Sequence, residues 1–312
     1  MADGPDVAVA LRGGLGDRAR AWGFLRWFAR EWTGRPLGPG DGCGAGELDA
    51  AEARLGFALP AALREGYALL GRRADLTQHQ DPLVPPRGLY VDDALGGVLV
   101  FRRENQDCAA WAVPLARLRQ DDPPVLVEVH WGWGLLFGSP WRKERGPVRA
   151  DARRRREATR WGCPQGEASG GVVDRRQRWG HLPPKAGGRC ACRATRRRGD
   201  PNNRPQVPFL ERMSWAWVEL VLSETLFADG PYDACELPAA LLPALHADHA
   251  RVPLPDHPMW ASAEDSPVRW YAAPGRLLRR DGLGDLSWVH ARGRTEADLA
   301  AVRAALPAPW VR

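Results

Sequence analysis

The sequence predicts a mixed fold in which helices and an antiparallel sheet occupy separate stretches, on three observations. Apolar residues recur at intervals of three and four in segments bounded by capping residues. Short β-rich runs separated by Asp, Gly, Asn and Pro then follow one another as in a meander. With 312 residues, 44% apolar and 26% charged, the chain can bury one large core or two modest ones. No apolar stretch approaches the ~20 residues of a membrane helix, and Val7–Leu11 is too short for a signal-peptide core. The expectation is a soluble, cytoplasmic protein without a membrane partner. Six scattered cysteines form no small-domain disulfide framework, so reduced thiols are expected.

Residues 1–16 show no periodicity, and Gly13, Gly14 and Gly16 lack the preceding strand and the spacing of a phosphate-binding loop. Asp17 can cap a helix to about Thr33 with Trp22, Leu25, Phe28, Ala29 and Trp32 on one face. Residues 34–46, rich in Gly and Pro, read as a linker, which makes 1–46 an N-terminal helical extension. Glu47–Leu55 suits a helix ended by Gly56. Pro60 opens a second helix, with Leu63, Tyr67 and Leu70 inward and Gly71 as its stop. Leu89–Val91, Gly97–Arg102, Ala110–Val113 and Val125–Val129 are the meander strands. Folded character resumes at Phe209, where Ser214 is placed to cap a helix to about Phe227, and a shorter helix is expected near Leu237–His249. Val268–Ala272, Arg276–Arg280 and Leu286–His290 read as strands, and Thr295 with Asp298 opens a final helix in a capping-box pattern.

The segment 138–205 is unlike its surroundings. It holds 17 Arg and 2 Lys against 6 acids; of 44 basic and 38 acidic side chains this leaves 25 against 32 elsewhere, an acidic protein with a basic block inside it. Only Val148, Val172, Val173 and Leu182 are Leu, Ile, Val or Phe there, whereas 17 residues are Gly or Pro, so disorder is expected. Its composition suits an out-of-frame reading of GC-rich coding sequence better than a working insertion. The folded parts are therefore read as 47–137 and 206–312.

The run from Glu52 to Gly71, with Leu55-Gly56, Leu59-Pro60, Tyr67 and Leu70-Gly71, resembles the opening of a SUKH domain, the family of fungal cell-wall-assembly regulators and bacterial immunity proteins. Asp81-Pro82-Leu83, Leu89–Asp93, Val98–Phe101, Glu104-Asn105-Gln106, Trp111 and Asp122–Val125 continue the likeness over about 45–130, and 214–228, Trp270 and the last helix extend it more loosely. The resemblance implies an α+β fold, helices packed on a mainly antiparallel sheet, that acts as a protein-binding module without catalytic residues or cofactor. In the bacterial branch it implies neutralisation of a polymorphic toxin; a regulatory scaffold is the other role. The polar turns at Asp92, Asp93, Glu104, Asn105 and Gln106, with Trp111, are the expected partner-binding residues, although Trp111 also reads as a core residue. The stretch 74–122 carries eight acids against five arginines, a charge excess suited to a basic partner.

The alternative function is nucleic-acid binding through 142–204, where Arg153–Arg156 and Arg196–Arg198 are interleaved with Trp161 and Trp179. Cys163, His181, Cys190 and Cys192 lack paired zinc-knuckle spacing. His246 and His249, three apart, with Asp256 and His257 nearby, read as a surface pair rather than metal ligands. Ser139, Ser214, Ser223 and Ser287 have no nucleophile-elbow glycines, and Cys108 has no activating histidine beside it.

Overall fold

The computed structural model describes residues 4–93, 97–129, 206–259, 267–283 and 286–311. The first two helices begin on aspartates whose carboxylates accept the orphan N–H groups of the opening turn: Asp6 for α1 (Val7–Ala10) and Asp17 for α2 (Arg18–Glu31). The helix α1 is one that periodicity does not reveal, being a single turn. Helix α3 (Ala45–Leu55) ends on Gly56 in the left-handed conformation, and Pro60 leads into α4 (Ala61–Leu70), as the sequence predicts. A short α5 (Ala74–Thr77) follows.

The expected linker is pinned rather than loose. The Cys43 N–H donates to the carbonyl of Tyr67, and Gly42 lies so close to the Ala68 carbonyl that a Cβ would sit 1.7 Å from its oxygen. Val7, Leu11, Trp22, Leu25, Phe28 and Cys43 join the same apolar core as Leu63, Tyr67, Phe101, Trp111, Trp217 and Trp270. Residues 4–46 are thus part of the main body.

Among the described residues, two five-stranded antiparallel sheets complete the α+β fold. The first runs in chain order: β1 (Tyr90–Asp92), β2 (Val98–Arg103), β3 (Ala109–Pro114), β4 (Val125–Val129) and β5 (Gln206–Leu210). Pairing of Glu128 with Gln206 makes β4 and β5 a hairpin across residues 130–205. The disordered insert expected at 138–205 lies outside the described residues. The second sheet has the order β6 (Tyr232–Glu236), β10 (Leu286–Gly293), β9 (Arg276–Leu283), β8 (Arg269–Ala273) and β7 (Ala250–Arg251). Helices α7 (Leu242–Asp248) and α8 (Glu296–Ala305) cover its far side, burying Leu245, Leu299 and Val302 against Leu278 and Val289. Among the described residues no helix is long and apolar enough to cross a membrane.

Helix α6 (Met213–Phe227) is the axle of the molecule. It is buried on nearly every side, touching α2, α4 and α5 as well as β5 and β10. Its Trp217 ring crosses Tyr67 edge-on and fills the space above Gly66, where a Cβ would lie 2.1 Å from the indole. Ser214 does not cap it from within. The Asp122 carboxylate, before β4, accepts from both the Ser214 N–H (2.8 Å) and its hydroxyl (2.7 Å), so the helix start is tied to the first sheet.

Candidate functional site

A helix surrounded by apolar neighbours leaves no water for its polar side chains, yet α6 carries Glu219, Ser223 and Glu224, none more than 4% exposed. Each therefore requires partners from the elements packed on it. Glu224 accepts from the three successive backbone N–H groups of His79 (2.5 Å), Gln80 (2.7 Å) and Asp81 (2.9 Å), and from Arg102 Nη2 at 3.2 Å. Arg102 also donates from Nη1 to Glu219 at 2.7 Å and from Nε to the Asp81 carbonyl at 3.0 Å, and its guanidinium lies 4.4 Å over the Trp111 ring.

A β-bulge delivers that arginine. Strict alternation would put Arg102 on the same face as Val98 and Val100, away from α6. The register slips between Val100, opposite Ala112, and Arg102, opposite Trp111, which turns Arg102 onto the helix side. The sequence Val98-Leu99-Val100-Phe101-Arg102-Arg103 reads as a strand running out into two solvent-facing arginines, and nothing local marks which one is drawn inward.

From the second sheet, Arg279 on β9 donates to the Ser223 hydroxyl at 3.0 Å and doubly to Asp281 at 2.8 and 2.7 Å. Asp281 stands 3.3 Å from His290 Nε2, and His290 Nδ1 is 2.8 Å from the Tyr232 hydroxyl. His257 hydrogen-bonds the Pro255 carbonyl through Nδ1 at 3.0 Å and turns Nε2 toward Glu219, 3.8 Å away. The result is a polar seam that runs from the 79–81 loop through β2 and α6 to β9, β10 and β6.

The electrostatics follow from burial. Desolvation raises the Asp81 carboxyl well above its ordinary range; Arg102 opposes this, and Glu104 and Glu224 add to it. Glu104 is pushed up to about 6, mainly by burial. Asp281 is held far below the usual carboxylate range, because Arg279 and His290 outweigh its own desolvation. Burial also lowers His257 and His290 from the ordinary imidazole range, against the pull of Glu219 on the first and Asp281 on the second. Most seam groups pair with one another beneath the surface, Asp81 Oδ1 and His257 Nε2 being left without a hydrogen-bond partner among the described residues, and the arrangement fixes how α6 sits between two sheets. Among the described residues no three His, Cys, Asp or Glu side chains are placed to hold a metal ion.

The residues expected to bind a partner fall into two places. Asp92, opposite Val98, and exposed Asp93 lie at one end of β2, whereas Glu104, Asn105 and Gln106 lie at the other. Six strand residues separate them, about 20 Å at 3.3–3.4 Å per residue. They do not form one docking patch. Glu104, 5% exposed, turns its carboxylate back to the N–H groups of Gln106 (2.7 Å) and Cys108 (3.0 Å). Trp111 is buried against Phe209, so of the residues expected to bind a partner there, only Asn105 and, in part, Gln106 face solvent. Asp107 adopts the left-handed backbone, at φ 62°, and its carboxylate pairs with Arg103.

The acid excess over 74–122 is likewise consumed internally. Asp81 and Glu104 are buried, Asp75 pairs with Arg73, and Asp122 holds Ser214. Nor are the histidines a surface pair. His246 is exposed and stacks on Tyr271, while His249 is buried and pushed down to about 4, mainly by desolvation. No family model matches the chain, and no curated protein or solved structure matches it.

Proposed function

We propose that the chain is a non-catalytic protein-binding module of the SUKH type, acting by steric occlusion as an immunity protein toward a polymorphic toxin or as a regulatory scaffold. The observation that carries this reading is the helix, left-handed glycine turn, helix unit over 45–70 leading into the antiparallel meander over 90–114, the order that the resemblance implies. The seam supports it as well. Its ionisable side chains are placed to hold two sheets on one helix, with Arg102, Glu219, Glu224 and Asp281 all under 5% exposed.

The test is co-expression with the toxin encoded beside this gene. Restored growth together with a complex that co-purifies supports the immunity role. Continued toxicity and no complex overturns it.

A further inference from the structure

We propose that the outer face of α2 docks an acidic protein surface. This rests on the reading of the chain as a protein-binding module and assigns the contact to a face other than the two turns.

The inward side of α2 carries Ala21, Trp22, Phe24, Leu25, Phe28 and Ala29. Ala19, Gly23, Arg26 and Arg30 recur at three and four along the opposite side and are all exposed, with Arg20 and half-buried Trp27 at its margins. Arg12, also exposed, adjoins this stripe, since the Arg20 guanidinium donates to its carbonyl. Arg30 meets Glu31 at 2.5 Å, but Arg12, Arg20 and Arg26 have no carboxylate partner among the described residues.

Three features coincide on that face. Unpaired guanidinium groups concentrate on a body whose described residues hold 24 arginines against 28 acids, so the sign of charge reverses locally. Gly23 occupies mid-helix with nothing within 4 Å of where its Cβ would be, so no packing inside the protein calls for it. A glycine there costs about 1 kcal/mol of helix propensity relative to alanine, and together with Ala19 it leaves a shallow floor that another chain can approach. Arginine and tryptophan, the types at its edge, are those enriched at protein interfaces.

The occupant is anionic and bounded. Arg20 to Arg30 spans about 15 Å at 1.5 Å per residue. Asp17 stands at one end of the stripe and Glu31 at the other. A phosphodiester chain, with its unbroken row of negative charges, runs past those ends onto the two carboxylates. A patch of acids on a folded protein or helix fits between them.

The experiment is fluorescence anisotropy of a labelled Glu- and Asp-rich helical peptide with the full chain. The comparison variants are the triple reversal R20E/R26E/R30E and, as a control, R117E/R119E on exposed arginines elsewhere. The triple reversal is expected to weaken binding by roughly tenfold or more and the control by less than about twofold. Gly23→Glu, placed in open space, keeps the fold and is expected to weaken binding several-fold, which guards against misfolding of the triple variant. Unchanged peptide affinity in the α2 variants would show that other arginines of the chain do the binding and would overturn the proposal. So would a single-stranded oligonucleotide that binds more tightly than the peptide and is released by the same reversal. A toxin complex that survives the reversal overturns the assignment to α2 while the module reading stands.

Discussion

Each sheet reaches the central helix α6 through one arginine, and the two solve the same burial problem differently. Arg102, from the first sheet, has no acid on its own strand to balance it; its charge is met by Glu219 and Glu224 of the helix. Arg279, from the second, is neutralised on its own strand by Asp281 and offers the helix a hydrogen bond to Ser223 and a cation–π contact with Phe227 at 4.9 Å. The first attachment is ionic and the second is polar but internally compensated. Removing a partner from a buried pair leaves the survivor charged and dry, so the two attachments differ in fragility far more than in geometry.

Arg102→Met is expected to have the largest effect, about 3–5 kcal/mol lost in urea unfolding, because Glu219 and Glu224 both lose their cation. Arg279→Met is expected to cost less, about 3 kcal/mol, since it strips the cation from one buried carboxylate, Asp281, rather than from two, and Asp281 keeps its contact with His290 while Ser223 loses its donor. Equal losses in the two variants would contradict the distinction.

The next effect is a pH dependence on the first-sheet side. Glu104 has a folded pKa raised from 4.5 to about 6, so the stability it contributes is full below the unfolded value and falls as pH rises through the folded one. Asp81 acts in the same direction. Glu104→Gln is therefore expected to gain about 2 kcal/mol on wild type between pH 4 and pH 7.5, read from paired urea curves. A difference that stays flat over this range would show that Glu104 is not held back from ionising.

The smallest effect concerns the connections between strands. Strands β9 and β10 are joined through 284–285, whereas β4 and β5 pair in the same antiparallel manner through 130–205. Because Glu128 already faces Gln206, a short glycine-containing turn can close this hairpin. Replacing 130–205 by such a turn is expected to leave the circular dichroism unchanged and to shift Tm by no more than a few degrees. Loss of cooperative unfolding would mean that the first sheet needs those residues.

Local chemistry makes much of the fold legible. Asp17, Gly56 and the Thr295–Asp298 capping box mark helix ends that the structure reproduces, because caps act within one turn of chain. Strand β5 escapes a periodicity reading because Pro208 interrupts it, and β6 because its buried Asp233, bonded to Arg303 at 2.8 Å, reads as polar. The candidate site was less legible than the fold. Asp92 and Glu104 are close in sequence but lie at opposite ends of a strand, and Glu104 and Trp111 face inward.

The sequence alone determined the α+β class and most element types, since hydrophobic period, capping side chains and turn residues are properties of neighbours along the chain. Tertiary structure alone decided which charges are buried. A one-residue bulge turns Arg102 from one face of β2 to the other, Asp122 reaches Ser214 from another element, and Glu224 finds three N–H groups in a loop far away in sequence. Those outcomes depend on how far burial strengthens a charge and on which partner stands within hydrogen-bond reach. Both are set only once the sheets have closed around α6.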